Sequence, residues 1–340
     1  MRVLVTGGCG FIGSNVAARH LEKKHKVTVM DNLSRRLTPK NLEWLKTLGT
    51  FEFVKADVRN AGTLGRIFKK TKYDAVYHLA GQVAVTTSVT DPRSDFEINA
   101  RGTLNVLEAM RLSRSRGLLI YASTNKVYGE MLKAKIVEKE TNVRYKNYPR
   151  GIEETFPLDF HSPYGCSKGS ADQYVRDYCR LYGLRTVVFR QSCVYGERQF
   201  GVEDQGWVAH FMIQTHFGRP LKIYGDGKQV RDVLYIEDLL RAYDAAFRLK
   251  NKSSGQVFNI GGGAQNQISL IELVSLLEKR QGRKIPVRFF DERPGDQRIY
   301  VSDNRKLLRY LGWKVKTDFR EGFEKLYSWI LANEKMLLPQ

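Results

Sequence analysis

The sequence is poor in cysteine and has no long hydrophobic run. Among its 340 residues are four cysteines, none in a Cys-x-x-Cys pair or at a spacing typical of metal ligands. We therefore expect reduced thiols, a cytoplasmic protein and no metal site. No apolar stretch approaches the length that crosses a membrane, and a strand beginning at residue 2 argues against a cleaved leader. Repeats and low-complexity tracts are also missing, and a length of 340 residues predicts one large or two moderate globular domains.

Acidic residues are scarce relative to basic ones. The chain has 36 aspartates and glutamates against 56 lysines and arginines, a formal net charge of +20. Such a charge attracts anionic substrates or nucleic acid. The basic residues are nevertheless spread along the chain, and the densest group, at Arg111, Arg114 and Arg116, ends a predicted helix, where cations suit the helix dipole. We interpret most of the charge as solvated surface, and an RNA-associated dinucleotide-binding protein is the most distant alternative.

Strand-like and helix-like segments alternate along the first 190 residues. Short apolar runs rich in β-branched residues predict strands, and apolar residues at helical spacing predict helices. Strands are predicted at 2–6, 26–30, 51–55, 74–79, 117–122 and 185–190. Helices are predicted at 11–23, 39–48, 62–70, 93–113 and 164–182. This alternation predicts an α/β fold with a Rossmann-like, doubly wound parallel sheet.

A glycine-rich loop lies between the first predicted strand and the first predicted helix. It contains Gly8-x-Gly10-x-x-Gly13, the spacing that lets a backbone approach a pyrophosphate at a helix N-terminus. The second strand leads into Asp31, placed to bind an adenosine ribose, which favours NAD. Arg35 and Arg36 follow and could instead hold a 2′-phosphate, so NADP is a minority alternative.

A tyrosine and a lysine four residues apart begin the last of these helices. Tyr164 and Lys168 follow Pro163, so they share one helical face. An adjacent ammonium lowers the pKa of a phenol from about 10 toward neutral, which makes Tyr164 a candidate general base. A pair of residues on the surface of an ordinary helix would have the same spacing. The glycine-rich loop favours the catalytic interpretation. The same spacing occurs, interrupted by glycine, at Tyr224/Lys228 and Tyr310/Lys314.

The alternation weakens after about residue 190, where turn-rich stretches follow. We therefore predict an NAD-binding Rossmann domain over 1–190, with a return of the chain over 228–262, and a smaller C-terminal substrate domain over 191–340. The segment 130–157 is long, polar and without clear periodicity, and we interpret it as an insertion near the site.

In combination, these motifs resemble those of extended short-chain dehydrogenase/reductases that act on nucleotide sugars, the NAD-dependent epimerase/dehydratase family. The resemblance covers nearly the whole chain and implies tightly held NAD, a homodimer or dimer of dimers, and no nucleic-acid or membrane partner. It implies catalytic roles for Thr124, Tyr164 and Lys168. It assigns cofactor binding to Gly7, Gly10, Phe11, Ile12, Gly13, Asp31, Asn32, Ser34, Arg35, Asp57, Val58, Leu79, Ala80, Gln82, Asn99 and Ser123, besides Tyr164 and Lys168.

A narrower resemblance concerns the substrate. Segments such as Ser123-Thr-Asn-Lys126, Asp159–Lys168 and Asp204-Gln-Gly-Trp207 are similar to those of CDP-paratose (CDP-tyvelose) 2-epimerases. This implies inversion at C2 of a CDP-linked hexose, of the CDP-paratose/CDP-tyvelose or CDP-glucose/CDP-mannose type. It assigns the CDP-sugar to Thr124, His161, Cys193, Gln205, Lys222, Tyr224, Arg231, Arg293 and Asp296, although a lone histidine such as His161 is more often structural.

This sequence differs from related dehydratases and C4 epimerases at positions that bear on which reaction it catalyses. Related 4,6-dehydratases carry Asp-Glu after the catalytic threonine, where this chain has Asn125 and Lys126. Related C4 epimerases usually have asparagine at the position of Cys193. Both departures disfavour those reactions, and a C4 epimerase acting on a UDP- or GDP-linked sugar is the runner-up.

Overall fold

Strands and helices alternate as the sequence predicts. The computed structural model describes residues 1–293 and 295–338. The strands are β1 (Arg2–Thr6), β2 (Lys26–Asp31), β3 (Glu52–Lys55), β4 (Ala75–His78), β5 (Leu118–Thr124), β6 (Ile136–Glu138), β7 (Val143–Tyr145), β8 (Thr186–Gln191), β9 (Cys193–Tyr195), β10 (Leu221–Tyr224), β11 (Val230–Tyr235), β12 (Val257–Ile260), β13 (Gln267–Ser269), β14 (Val287–Phe290) and β15 (Ile299–Tyr300). The helices are α1 (Phe11–Glu22), α2 (Thr38–Leu48), α3 (Ala61–Lys70), α4 (Val85–Thr90), α5 (Pro92–Phe96), α6 (Gly102–Leu112), α7 (Ser162–Tyr182), α8 (Trp207–His216), α9 (Ile236–Arg248), α10 (Lys250–Ser253), α11 (Leu270–Gln281), α12 (Arg305–Leu311), α13 (Phe319–Ala332) and α14 (Glu334–Leu337).

Seven parallel strands form the main sheet, in the order β12-β8-β5-β4-β1-β2-β3. The predicted doubly wound, Rossmann-like fold is therefore confirmed. Both faces of the sheet are covered: Val3 and Val5 of β1 join the apolar cluster on one face and Leu4 joins the cluster on the other. This explains why the central strands are continuous apolar runs. The strand order reverses beside β1, and such a switch point is where ligands bind.

The predicted helix over 93–113 is present, but it is not α-helical throughout. It consists of α5, a π-helical stretch over Glu97–Arg101, and α6. The wider π turn turns Asn99 inward, where its side-chain Nδ2 donates to Gln82 O, Asp95 Oδ1 and Ser167 Oγ, each at 3.1 Å. π turns within helices often mark functional sites, and this one places Asn99 beside α7.

The predicted insertion over 130–157 has structure of its own. β6 and β7 form an antiparallel pair, and side chains around them build a separate apolar cluster with Val127 and Tyr128. Tyr300, from the far end of the chain, belongs to the same cluster, with its ring stacked on Tyr128 at a centroid distance of 6.1 Å. The segment 130–157 therefore packs against Val127 and Tyr128, which directly follow β5.

The second half of the chain adds smaller sheets and then returns to the main one. β10 pairs with β14, and β11 pairs with β9, β13 and β15. β12 forms the edge of the main sheet beside β8. α9 meets α1, where Arg19 forms ion pairs with Glu237 and Asp244. The division into two domains stays a prediction.

Two negative findings concern the described residues alone. In 1–293 and 295–338, no helix is long and apolar enough to cross a membrane. The same residues contain no group of three or more histidine, cysteine, aspartate or glutamate side chains that could hold a metal ion.

Two buried histidines predict a loss of stability in weak acid. His20 lies 2.8 Å from His25, Nδ1 to Nδ1, and His78 contacts Thr6 and Thr103. Burial lowers the pKa of His20 to about 4 and of His78 to about 3. Since the pKa of unfolded histidine is about 6.5, the neutral rings stabilise the fold fully above that pH and progressively less below it.

We expect urea unfolding to show a lower free energy at pH 5 than at pH 7. Each histidine contributes up to about 1.4 kcal/mol per pH unit between its two pKa values. His20→Gln should reduce this dependence, and His161→Gln, at an exposed residue, should leave it unchanged. Equal stability at pH 5 and pH 7 would contradict the prediction.

Candidate active site

The loop between β1 and α1 has the close backbone packing that a pyrophosphate site requires. Gly7 has φ +69°, and a Cβ there would come within 2.6 Å of Ala80 N. A Cβ on Gly13 would collide with the carbonyl oxygen of Gly7. Gly10 precedes α1, whose first turn has no side-chain cap. The first amides of α1, from Phe11 on, are thus free to bind an anion. Ile12, in the same turn, packs against the core.

Asp31 lies beside this loop at the end of β2. Its Oδ2 accepts from Cys9 N at 2.9 Å and its Oδ1 from Leu33 N at 2.8 Å. Each carboxylate oxygen keeps a further acceptor site, enough for ribose hydroxyls. Burial raises the pKa of Asp31, and these two backbone hydrogen bonds oppose the rise. The geometry fits the predicted ribose-binding role.

Hydrogen bonds connect several of the neighbouring residues that are predicted to bind the cofactor. Asn32 Nδ2 donates to Asp57 Oδ2 at 2.8 Å, and Asn32 Oδ1 accepts from Ser34 N at 3.0 Å. Across β1, Leu79 N donates to Thr6 O at 3.1 Å, which draws the end of β4 toward the glycine loop. Farther from the crevice mouth, Val58 and Ala80 pack in or against the apolar cluster of this face.

The backbone at the start of α7 aims Tyr164 into the crevice. Ser162 has a φ of +64°, which is rare for a residue other than glycine, and Pro163 fixes the first turn. Tyr164 N donates to Ser88 Oγ of α4 at 3.1 Å. Unusual backbone conformations of this kind concentrate at functional sites because the surroundings must hold them in place.

The prediction that Lys168 lowers the pKa of Tyr164 toward neutral is wrong for the protein by itself. Burial raises the pKa of Tyr164 to about 12, and a hydrogen bond with Thr124 only partly opposes the rise. Lys168 Nζ instead donates to Ala122 O at 2.5 Å and lies 4.4 Å from the centre of the Tyr121 ring. Burial lowers the pKa of Lys168 to about 7. The two residues share a helical face, as predicted, but do not bond.

A network of hydrogen bonds fixes the surroundings of Lys168. Gln82 N donates to Asn99 Oδ1 at 2.9 Å. Ser167, next to Lys168, donates to Asp95 Oδ2. Ser123, predicted to bind cofactor, donates to Asp172 Oδ2 at 2.8 Å. These hydrogen bonds fix the positions of the end of β5, the π turn and α7 relative to one another.

A second group lies next to Thr124. Lys126 Nζ donates to Gly295 O at 3.1 Å and to Asp296 Oδ1 at 3.3 Å. The same Asp296 oxygen accepts from Arg231 Nη2 at 2.7 Å. The structure thus brings together Arg231 and Asp296, as predicted, and adds Lys126. In the sequence, Lys126 is indicated only by its position two residues after Thr124, which is predicted to be catalytic.

A third group gathers around Glu203, which the sequence reasoning missed. Lys222 Nζ lies 3.3 Å from Glu203 Oε2, and Arg293 Nη2 lies 3.2 Å from Glu203 Oε1. The hydroxyl of Tyr224 also donates to Glu203 Oε1. Three residues predicted to bind the nucleotide therefore converge on one carboxylate.

The remaining predicted substrate residues fall in different places. Cys193, in β9, is part-buried, and burial raises the pKa of its thiol. Trp207, whose indole lies near that thiol, has a buried Nε1 with no hydrogen-bond acceptor among the described residues. Gln205 accepts from Arg35 Nη1, so it bridges toward the cofactor crevice. His161 is half exposed, with Nδ1 3.5 Å from Glu130 Oε1.

Comparisons with known proteins agree with this geometry. The family model described as "GDP-mannose 4,6 dehydratase" matches residues 4–326. The CDP-paratose 2-epimerase of Salmonella typhi is 47% identical over 97% of this chain and 99% of its own length.

Solved structures show the same fold. The UDP-glucose 4-epimerase of Thermotoga maritima, solved with UDP-glucose, superposes with a TM-score of 0.84 at 32% identity, covering 98% of this chain and 100% of that one. The UDP-glucuronic acid 4-epimerase of Bacillus cereus, solved with UDP-glucuronic acid and NAD, has a TM-score of 0.84 at 29% identity, covering 98% of this chain and 99% of that one. The chain therefore belongs to the GDP-mannose 4,6-dehydratase family of nucleotide-sugar epimerases and dehydratases.

Proposed function

We propose that the protein is an NAD-dependent epimerase that inverts C2 of a CDP-linked hexose. The observation that carries the proposal is the hydrogen bond between Tyr164 of α7 and Thr124 at the end of β5, in a chain 47% identical to a CDP-paratose 2-epimerase over nearly its full length. Inverting an unactivated secondary alcohol carbon requires transient oxidation. A bound dinucleotide would be the oxidant, and a tyrosine would be the base.

The crevice of this chain fits NAD. The uncapped first turn of α1 and the close approach at Gly7 and Gly13 suit the pyrophosphate. Asp31 suits the adenosine ribose and would repel a 2′-phosphate, so NAD is favoured over NADP. Lys168, buried against β5, would hold the nicotinamide ribose. NAD bound there would supply reversible hydride transfer at C2.

The residues of the chain would then transfer the proton and orient the sugar. Tyr164 would accept the proton of the C2 hydroxyl, and Thr124 would hydrogen-bond the oxygen as its charge changes. Since burial raises the pKa of Tyr164 to about 12 in the protein by itself, the phenolate needs nearby positive charge, from Lys168 and from the cationic nicotinamide. Once the oxidised sugar has turned its other face to the cofactor site, Tyr164 would return the proton to the C2 oxygen as the carbon is reduced, which would complete the inversion.

Positions 125 and 126 disfavour dehydration. Asn125 Nδ2 donates to Gln297 Oε1 at 3.0 Å, and Lys126 is bonded to Asp296. Asn125 has no ionisable proton, and the Lys126 ammonium is held by Asp296 and Gly295, so the carboxyl pair that related dehydratases carry at these positions is missing. Both instead tie the catalytic loop to the segment containing Asp296, next to where the sugar would lie. An epimerase is therefore favoured over a dehydratase within this family.

The proposal is tested by product analysis. Purified enzyme without added cofactor is incubated with CDP-, UDP- and GDP-hexoses, and NMR identifies the inverted carbon. We expect inversion at C2 of a CDP-hexose, retention of a deuterium placed at C2, and no deuterium at C2 from D₂O. Solvent deuterium at C2 would overturn the hydride mechanism. Inversion at C4 of a UDP- or GDP-sugar would favour the runner-up.

We also infer that the protein forms at least a homodimer through α5, α6 and α7. Several large apolar side chains there stay exposed after the core is formed. They are Phe96 (53%), Leu112 (71%), Tyr174 (45%), Leu181 (69%) and Tyr182 (50%). Pairing these helices with a second copy would bury the surplus. On the same helices, Val106, Leu107, Met110 and Val175 are buried within the subunit and do not belong to this surface.

Light scattering at micromolar concentration should give at least twice the subunit mass. Leu181→Glu should shift the mass toward the monomer, because it places charge in the interface, while Leu338→Glu, at an exposed residue far along the chain, should not. A monomeric wild-type protein would refute the inference.

The compartment is inferred from the thiols. All four cysteines are free, including exposed Cys166. A reducing cytoplasm keeps such thiols reduced, and we infer that the enzyme works there.

A further inference from the structure

The nucleotide end of the site contains a carboxylate that the proposed reaction does not use. Glu203 lies in a tight turn, closed by hydrogen bonds between Val202 N and Gln205 O at 2.9 Å and between Gln205 N and Val202 O at 3.0 Å. Its side chain accepts from Tyr224 and contacts Lys222 and Arg293. These three partners are residues predicted to bind the nucleotide, so a base bound by them would lie close to this carboxylate.

We propose that Glu203 reads the base of the nucleotide sugar, accepting a hydrogen bond from the exocyclic amine of cytosine and excluding uracil. The inference rests on the proposed function, since it assumes a CDP-sugar at this site.

The chemistry of the two bases explains the choice. Cytosine presents an N4 amine, a donor, at the position where uracil presents O4, an acceptor. An ionised carboxylate has acceptors and no donor. Glu203 would therefore gain a charge-assisted hydrogen bond from cytosine and would repel uracil. Specificity of this kind uses an attractive and a repulsive contact at the same atom.

Aromatic side chains beside Glu203 can hold the base. The rings of Tyr224 and Phe290 stack with centroids 5.5 Å apart, and the Arg293 guanidinium lies 3.8 Å from the centre of the Tyr224 ring. A diphosphate is a much stronger partner for arginine than an aromatic face. On binding, Arg293 would move to the phosphates, and the base would take its place on Tyr224. Glu203, at the hydroxyl edge of that ring, then meets the edge of the base.

The neighbours of Glu203 keep it ionised and fixed. The hydrogen bond from Tyr224, followed by that from Lys222, lowers the pKa of Glu203. The carboxylate is therefore an acceptor at neutral pH. Because Oε2 accepts, among the residues that the structure describes, from Lys222 alone, it retains an acceptor site for the amine of the base.

The test measures binding of CDP and UDP to the holoenzyme by isothermal titration calorimetry, without turnover. Wild-type protein should bind CDP at least about tenfold more tightly than UDP. In Glu203→Gln, whose amide offers both a donor and an acceptor, the ratio should fall toward one. Asp204→Asn is the matched control: it removes the neighbouring charge, 3.6 Å from Arg293, and should leave the ratio unchanged.

The other outcomes overturn the proposal. Equal weakening of CDP and UDP in Glu203→Gln would mean that Glu203 only supports the fold of the site. Equal tightening would mean that it merely repels the diphosphate. The carbon that is inverted is measured on products and the base preference on bound nucleotide. Failure of C2 epimerisation with an intact CDP preference would refute the proposed function alone, and the converse would refute the role of Glu203 alone.

Discussion

Tyr164→Phe lowers turnover at least about a hundredfold while nearly all bound NAD is retained. The change removes one hydroxyl, the only group at this position that can exchange a proton with the C2 oxygen, and general-base catalysis contributes on the order of a hundredfold or more. The ring itself, 8% exposed, stays packed in the same place. The measurements are the rate of epimer formation and the amount of NAD released on denaturation.

Two further variants show whether the loss of turnover is specific to Tyr164. Tyr310→Phe is the matched control, because Tyr310 also has a lysine four residues later, at Lys314, yet α12 ends at Leu311 between them. It should keep full activity. Lys168→Ala should reduce both turnover and bound NAD, since the ammonium would hold the ribose. If Tyr164→Phe retained more than about a tenth of the activity, the base would have to be another residue.

Asp172→Leu destabilises the protein by about 3–5 kcal/mol. Arg190 and Asp172 form a buried ion pair, 2% and 0% exposed, with Nε 2.9 Å from Oδ2 and Nη2 3.0 Å from Oδ1. Removing the carboxylate leaves a guanidinium charge without its partner in the interior, and the cost of breaking such a pair is of that order. Ser123 loses its acceptor as well.

Urea unfolding of the variants checks this. Asp172→Leu combined with Arg190→Met should recover most of the loss, because no unpaired charge is then buried. Glu321→Ala, which breaks the exposed pair with Lys325, should cost less than about 1 kcal/mol. A small effect of Asp172→Leu by itself would show that water reaches Arg190.

The buried pair also links stability to the site. Asp172 lies one turn after Lys168 on α7, and it holds Ser123, the residue before Thr124. Arg190 Nη1 donates to the hydroxyl of Tyr128 at 3.0 Å, which in turn donates to Asn259 Oδ1 at 2.7 Å. These bonds join α7, β8, β12 and the stretch over 123–128 next to the proposed catalytic residues, and catalysis would require such fixed positions.

Local sequence determined the main sheet, the glycine loop and the helix that contains the tyrosine–lysine pair. Short apolar runs of β-branched residues are typical of parallel strands buried on both faces, the glycines after β1 permit an approach that no side chain allows, and Pro163 lies in the first turn of α7. These features depend on neighbours in the chain, so spacing and residue type predict them.

Tertiary structure decided the electrostatics and the partners of the site. The i,i+4 spacing places Tyr164 and Lys168 on one face, but packing turns Lys168 to Ala122, and burial raises the pKa of Tyr164 instead of lowering it. Glu203 meets Lys222 and Arg293 from 19 and 90 positions away, and Lys126 meets Asp296 from 170 positions away. Such contacts depend on how distant segments pack and on how much water they exclude, and neither quantity is present in local spacing.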